Sequence, residues 1–282
     1  PAVVVMDEKG QFAIPLLSGH VGGANALARA LGQVLGTVPV ITTATDVNGI
    51  FAVDMFAKEN RLYLSDRFLA KQISADLLAG RSVGWRGDWG NFPMPEGFVP
   101  VGRRTDAGEE YTYREAWELP EGLGTAVWIT ISSLECPGWL KLIPKAVIVG
   151  LGCRKDIPFQ NLNQAVDQML ADYHVSDQAV LGIATIDRKA REPAVLELIK
   201  KRNWNLFAYT AEELEAVPGI FSESEFVRKT VGTGNVCQRA ALLSGGLLLA
   251  EKTRFPGITM ALALCEHVPD GRKSGDKKET DP

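Results

Sequence analysis

A histidine inside a glycine loop is the first feature of this sequence with chemical potential. His20 lies in Leu16-Leu17-Ser18-Gly19-His20-Val21-Gly22-Gly23-Ala24-Asn25, directly ahead of an Ala/Leu-rich helix. The positive end of a helix favours a neutral, base-competent imidazole. The plainer role is a structural hydrogen bond. Asp46 closes Thr42-Thr43-Ala44-Thr45-Asp46, after the next strand. If the connection is a standard crossover, it shares a sheet edge with His20, where it accepts from the imidazole, binds substrate or only caps a helix.

Three loops share one expected design of strand, glycine turn and helix start: Ser18 to Asn25, Gly150 to Asp156 and Val231 to Arg239. Such turns aim backbone N–H groups and a positive helix end at one point, which suits phosphate or carboxylate. Each is also explained by chain geometry alone. The dinucleotide fingerprint is absent, because Lys155 stands where a third glycine would follow Gly150 and Gly152, and there is no phosphate loop of the G-x-x-x-x-G-K-[ST] kind. Nicotinamide and ATP chemistry lose support. Arg154, Lys155, Arg188, Lys189, Arg191, Arg228, Lys229 and Arg239 decorate the later loops. At the carboxyl ends of parallel strands they would clamp a small polycarboxylate; otherwise they are solvated charge. Asp187, Lys189 and Glu192 follow one strand and could supply an acid or base, with Asp187 alternatively a cap.

The composition narrows the field. Among 282 residues, 30 Lys plus Arg face 34 Asp plus Glu, a net charge of −4, which gives no electrostatic footprint for nucleic acid. No apolar run approaches the roughly 20 residues that span a bilayer, and the start has no secretory pattern, so a cytoplasmic protein is expected. Four scattered cysteines without a C-x-x-C pair, and three histidines, argue against structural zinc or disulfides. The chain opens at Pro1 straight into the apolar run Ala2 to Met6, which reads as a strand already inside a fold, so upstream sequence is expected.

The elements that must position these residues read as α/β, with two parallel-sheet α/β domains flanking a small α+β middle domain. The expected boundaries are 1–60, 61–143 and 144–267, with a disordered tail over 268–282 whose Gly, Lys and Asp have little to bury. Trp85, Trp89, Trp117, Trp128 and Trp139 concentrate in the middle segment, as core filling or as an aromatic wall for a flat ligand.

These segments resemble a known family. Leu16 to Asn25, Val40 to Asp46 and Ala52-Val53-Asp54 look like the N-terminal domain of the cobalt-precorrin-5A hydrolases, the CbiG family of anaerobic cobalamin biosynthesis. Gly150 to Arg154, Ala184 to Lys189 with Glu192, Val231-Gly232, Ala240 to Leu242 and Ile258 to Ala263 look like its C-terminal domain. The likeness runs through nearly the whole chain in the family's order. Two departures are a family N-terminal domain that begins before the point matching Pro1, and Gln238 where an acidic residue is expected. The C-terminal domain alone resembles a protein of the aerobic pathway.

The resemblance implies opening of the δ-lactone of cobalt-precorrin-5A by water and release of acetaldehyde, giving cobalt-precorrin-5B. The substrate is a tetrapyrrole bearing acetates and propionates. No cofactor or protein metal site is implied, because cobalt arrives in the substrate. On this reading His20 is the base, oriented by Asp46, with the N–H groups of Gly22 and Gly23 facing the oxyanion. Lys189 with Glu192 is the runner-up centre. Substrate contacts are expected from Ser18, Gly19, Gly22, Gly23, Asn25, Thr43 and Thr45, and from Gly152, Cys153, Arg154, Asp187, Gly232 and Arg239. Neither nucleic acid nor membrane is an expected partner; a homodimer or transient contact with neighbouring pathway enzymes stays open. The rival classes are a non-catalytic tetrapyrrole binder or carrier and a phosphate-ligand enzyme, neither with a motif in its favour.

Overall fold

The computed structural model describes residues 1–19, 22–43, 47–102 and 119–265. His20, Thr45, Asp46, Trp117 and the tail 268–282 therefore lie outside the described residues. The chain divides into two compact units, one holding the described residues of 1–130 with 134–143, the other 131–133 with those from 144 onward.

In the first unit, Asp7 turns the chain back on itself: its carboxylate accepts from the N–H of Phe12 at 2.6 Å and of Lys9 at 3.3 Å. Strands β1 (Val3–Met6) and β2 (Phe12–Leu17) thereby pair antiparallel. Helix α1 (Ala24–Leu35) follows and returns the chain to β3 (Val38–Pro39), parallel to β2. The loops leaving β2 and β3 consequently depart from the same sheet edge.

Helix α2 (Val53–Glu59) puts Val53 and Ala57 into the core of a second sheet, across the boundary expected at residue 60. That sheet holds β4 (Tyr63–Leu64), β5 (Val83–Gly87), β6 (Phe98–Pro100), β7 (Ala126–Ile129) and β8 (Trp139–Ile143) in the order β4-β8-β7-β5-β6. Helix α3 (Arg67–Leu78) starts where the Asp66 side chain accepts from the N–H groups of Phe68 and Leu69, and buries Ala70, Ile73 and Leu77. Trp85, Trp89, Trp128 and Trp139 are all buried, so they fill core rather than line an open wall.

The second unit is an α/β layer built on β9 (Val147–Cys153), β10 (Val180–Ile186) and β11 (Asn205–Tyr209), mutually parallel. Helix α4 (Phe159–Asp172) forms because Leu162, Ala165, Val166, Met169 and Leu170 recur at helical spacing and are all buried. Each such leucine or methionine contributes about 1.5–3 kcal/mol by leaving water. Helix α5 (Pro193–Arg202) has Pro193 in its first turn, Lys200, Lys201 and Arg202 in its last, and left-handed Asn203 as its stop. Short helices α6 (Ala211–Glu215) and α7 (Glu225–Val231) precede α8 (Val236–Gly245), whose N-cap is Asn235. Strands β12 (Gly246–Phe255) and β13 (Ile258–Cys265) complete the order β11-β10-β9-β13-β12. Helix α8 packs directly on β9: a Cβ on Gly150 would run into the Cys237 carbonyl, and only glycine permits that approach.

The fold is mixed α/β, but parallel pairing is distributed differently from expectation. The middle sheet is parallel across β6, β5, β7 and β8, with β4 antiparallel at its edge. The first sheet includes one antiparallel pair, β1 with β2, and the last includes two, β13 with β9 and β13 with β12. The third glycine turn also differs, since residues 232–235 join α7 to α8 and follow no strand.

Candidate functional site

The loop after β2 is tied down by its own backbone. The Ser18 carbonyl accepts from the Ala24 N–H at 3.1 Å and the Gly19 carbonyl from the Asn25 N–H at 2.9 Å. Two N–H groups at the start of α1 are therefore committed to the loop rather than offered to an anion. Asn25 Nδ2 donates to Thr43 Oγ1 at 2.9 Å, which joins the loop after β3 to the start of α1. Gly23 is the left-handed N-cap beside exposed Gly22. The structure thus brings Ser18, Gly19, Asn25 and Thr43 together; His20, Thr45 and Asp46 lie outside the described residues.

In the second unit the side chains converge at the carboxyl ends of β9 and β10. Glu192, immediately before α5, has a side chain only 6% exposed, and both its oxygens are engaged. Oε2 accepts from Lys189 Nζ at 3.0 Å and Oε1 from the Asp156 N–H at 2.6 Å. Burial raises the Glu192 pKa, yet hydrogen bonds from Lys189 and from the N–H groups of Asp156 and Ile157, with the Lys189 charge, outweigh it and leave it lowered. Glu192 is consequently a fixed carboxylate. It holds the ammonium of Lys189 on one side and the turn after β9 on the other. An acid or base role in proton transfer is ill matched to such a group.

Cys153 ends β9 within electrostatic reach of this pair. Burial pushes its thiol up to about 11, with Lys189 pulling down and Glu192 pushing up. It is a neutral thiol at physiological pH, not an activated nucleophile. Gly152 beside it accepts from Thr259 Oγ1 at 3.4 Å. Asp187 caps its own turn: its carboxylate accepts from the Arg188 N–H at 2.6 Å. Arg154, Lys155, Arg188 and Arg191 are exposed around these turns, a concentration of cations suited to several carboxylates.

Arg239 is not an open clamp. Its guanidinium is buried; Nη1 donates to the carbonyls of Leu214, Glu215 and Val217 at 3.0–3.2 Å, and Nη2 to Glu223 Oε1 at 2.9 Å. Exposed Gly232 is the left-handed stop of α7. Gln238, also buried, accepts from Asn235 Nδ2 at 2.5 Å through its own side-chain oxygen. Among the described residues no group of three or more His, Cys, Asp or Glu side chains could hold a metal ion, and no helix is long and apolar enough to cross a membrane.

Comparison with known proteins bears on both ends of the chain. The family model for the N-terminal part of cobalamin synthesis G matches residues 1–46, and that for its C-terminus matches residues 147–263. A relative from Salmonella typhimurium named cobalt-precorrin-5A hydrolase is 38% identical over 278 residues, spanning 94% of this chain and 74% of the relative. This chain belongs to the CbiG family. A second CbiG relative of that name, from Priestia megaterium, is 28% identical over 94% of this chain and 71% of its own. Protein CobE from a Sinorhizobium species is 30% identical over 121 residues, 42% of this CbiG chain and 79% of CobE.

Two residues at the candidate site of this CbiG chain carry no clear signal in the sequence. Asp156 adopts positive φ, 56°, so that its N–H meets Glu192, 36 residues later. Its only signal is that aspartate tolerates this backbone region better than most residues. Glu223, the partner of Arg239 and Arg228, carries no local motif.

Proposed function

We propose that this chain is a cobalt-precorrin-5A hydrolase, which opens the δ-lactone with water and releases acetaldehyde to leave cobalt-precorrin-5B. The observation that carries this reading is the 38% identity, over 94% of the chain, with a relative of that name. The geometry supports it: the carboxyl ends of β9 and β10 gather exposed Arg154, Lys155, Arg188 and Arg191 around the Lys189–Glu192 pair, a suitable setting for a macrocycle bearing acetates and propionates.

The chemistry assigns two tasks. Water adds to the lactone carbonyl as a base takes its proton, and collapse of the tetrahedral oxyanion breaks the ring C–O bond, giving a carboxylate and a hydroxyl. Deprotonation of that hydroxyl then forms the aldehyde C=O as the adjoining C–C bond breaks. Its electron pair passes to the macrocycle, which takes up a proton, and acetaldehyde leaves. We assign the base to His20, oriented by Asp46, with the N–H groups of Gly22 and Gly23 toward the oxyanion. The runner-up centre is Lys189, fixed by Glu192, with a charge-stabilising role toward the alkoxide or enolate-like state.

His20→Ala tests the base: acetaldehyde release should stop while cobalt-precorrin-5A binding persists. Unchanged turnover would sink the assignment. Trapping of acetaldehyde from the substrate incubated with the unaltered protein tests the reaction itself, and a bound but unconverted substrate would instead favour a carrier.

A further inference from the structure

The third glycine turn already holds carboxylates of the protein itself: Glu223, and more distantly Glu215, 3.7 Å from Arg239 Nη2. Glu223 bonds Arg239 Nη2 through Oε1 at 2.9 Å and Arg228 Nη2 through Oε2 at 2.5 Å. It lies against Gly234, where any side chain would collide with the Glu223 carboxylate. The two partners differ in burial. The Arg239 side chain is 7% exposed, whereas that of Glu223 is 34% exposed.

The hydrogen-bonding capacity at this point is only partly used. A carboxylate meets arginine best as a fork, through two parallel N–H bonds. Glu223 takes Nη2 alone; Arg239 Nε is buried with no hydrogen-bond partner among the described residues. Thr233 Oγ1, in the same turn and fully buried, likewise has none. A permanent internal salt bridge would gain by closing the fork, because a buried unsatisfied donor costs about 1–3 kcal/mol.

The turn also adjoins the candidate site. Arg188, next to Lys189, donates from Nη1 to the Thr230 carbonyl at 3.3 Å, and Val236 Cβ lies 3.8 Å from where a Cβ on Gly152 would stand. We propose that Arg239, with the Gly232–Asn235 turn, is a carboxylate subsite for an acetate or propionate of the tetrapyrrole, and that Glu223 is its displaceable internal occupant. This rests on the tetrapyrrole reading above. The incoming carboxylate takes Nε and Nη2 together, and Glu223 moves outward with Arg228, to which it is already bound. Glu223 then sets specificity, because a ligand lacking a carboxylate at that position cannot displace it.

Uroporphyrin I, a porphyrin with eight carboxylates, is a probe that needs no turnover. Its binding is read by fluorescence quenching for the unaltered protein, Glu223→Gln and Glu223→Asp, with thermal unfolding as the check on folding. Removing the competitor should tighten binding roughly five- to tenfold in Glu223→Gln, more than one exposed ion pair commands, because the occupant contacts two arginines. Glu223→Asp, which keeps the charge but shortens the reach to Arg239, should tighten it less. If Glu223→Gln fails to fold, Glu223→Asp carries the test alone. Equal or weaker binding by the folded variants, alongside clear binding by the unaltered protein, overturns the proposal and leaves the tetrapyrrole reading standing. Binding by none of the three counts against both.

Discussion

Glu192 holds Lys189 with one carboxylate oxygen and the Asp156 N–H with the other, at 3.0 and 2.6 Å, so one buried side chain fixes the turns after both β9 and β10. Glu192→Gln should therefore loosen two loops at once. One partner of a buried charge-assisted pair is lost, and a cost of about 2–4 kcal/mol is expected, measured as a fall in urea midpoint. Lys189→Ala in the Glu192→Gln background should cost less than in the unaltered protein, because the two side chains act as a unit.

The acid side of the stability curve carries a second signature. The folded-state pKa of Glu192 is depressed, so its contribution is present above the ordinary carboxylate value and is lost as pH falls through the depressed one. Urea unfolding below about pH 4.5 should weaken more steeply for the unaltered protein than for Glu192→Gln. Parallel curves for the two would contradict the pairing.

Cys153 should behave as an unreactive thiol. With a pKa of about 11, its alkylation by iodoacetamide at neutral pH should be slow and should rise through the alkaline range. Lys189→Met removes the charge that favours the thiolate and should slow the reaction further. Cys153→Ser should keep turnover within a few-fold, which fast labelling at neutral pH would call into question.

Lys189→Met also tests the proposed role of its charge. Loss of one preorganised charge-stabilising group typically costs about 100- to 1000-fold in kcat. Here kcat should fall while KM changes little, and a variant with unaltered kcat would remove Lys189 from the reaction.

Much of the fold was legible because its cues are local. Strand β11 is a short apolar run just past the left-handed stop at Asn203, and α5 is marked by Pro193 at its start and Lys200 to Arg202 at its end. β12 is hard to see in the sequence because its half next to the turn is charged, Glu251-Lys252-Thr253-Arg254-Phe255; only the Pro256-Gly257 dipeptide, with Gly257 at positive φ, marks the hairpin. Parallel character in the middle sheet was obscured by strands of three to five residues set among glycines and prolines. At the candidate site, residue types on strand-end loops were visible, but commitments were not. That Arg239 spends its donors on Leu214, Glu215, Val217 and Glu223 depends on how the chain from α6 to α8 folds back, and no spacing encodes it.

Hydrolysis of cobalt-precorrin-5A is read most directly by mass spectrometry in ¹⁸O-labelled water. The expected product has the mass of the substrate plus water minus acetaldehyde, with one ¹⁸O in the newly freed carboxylate. Recovery of the lactone unchanged, or of a product without the label, would contradict it.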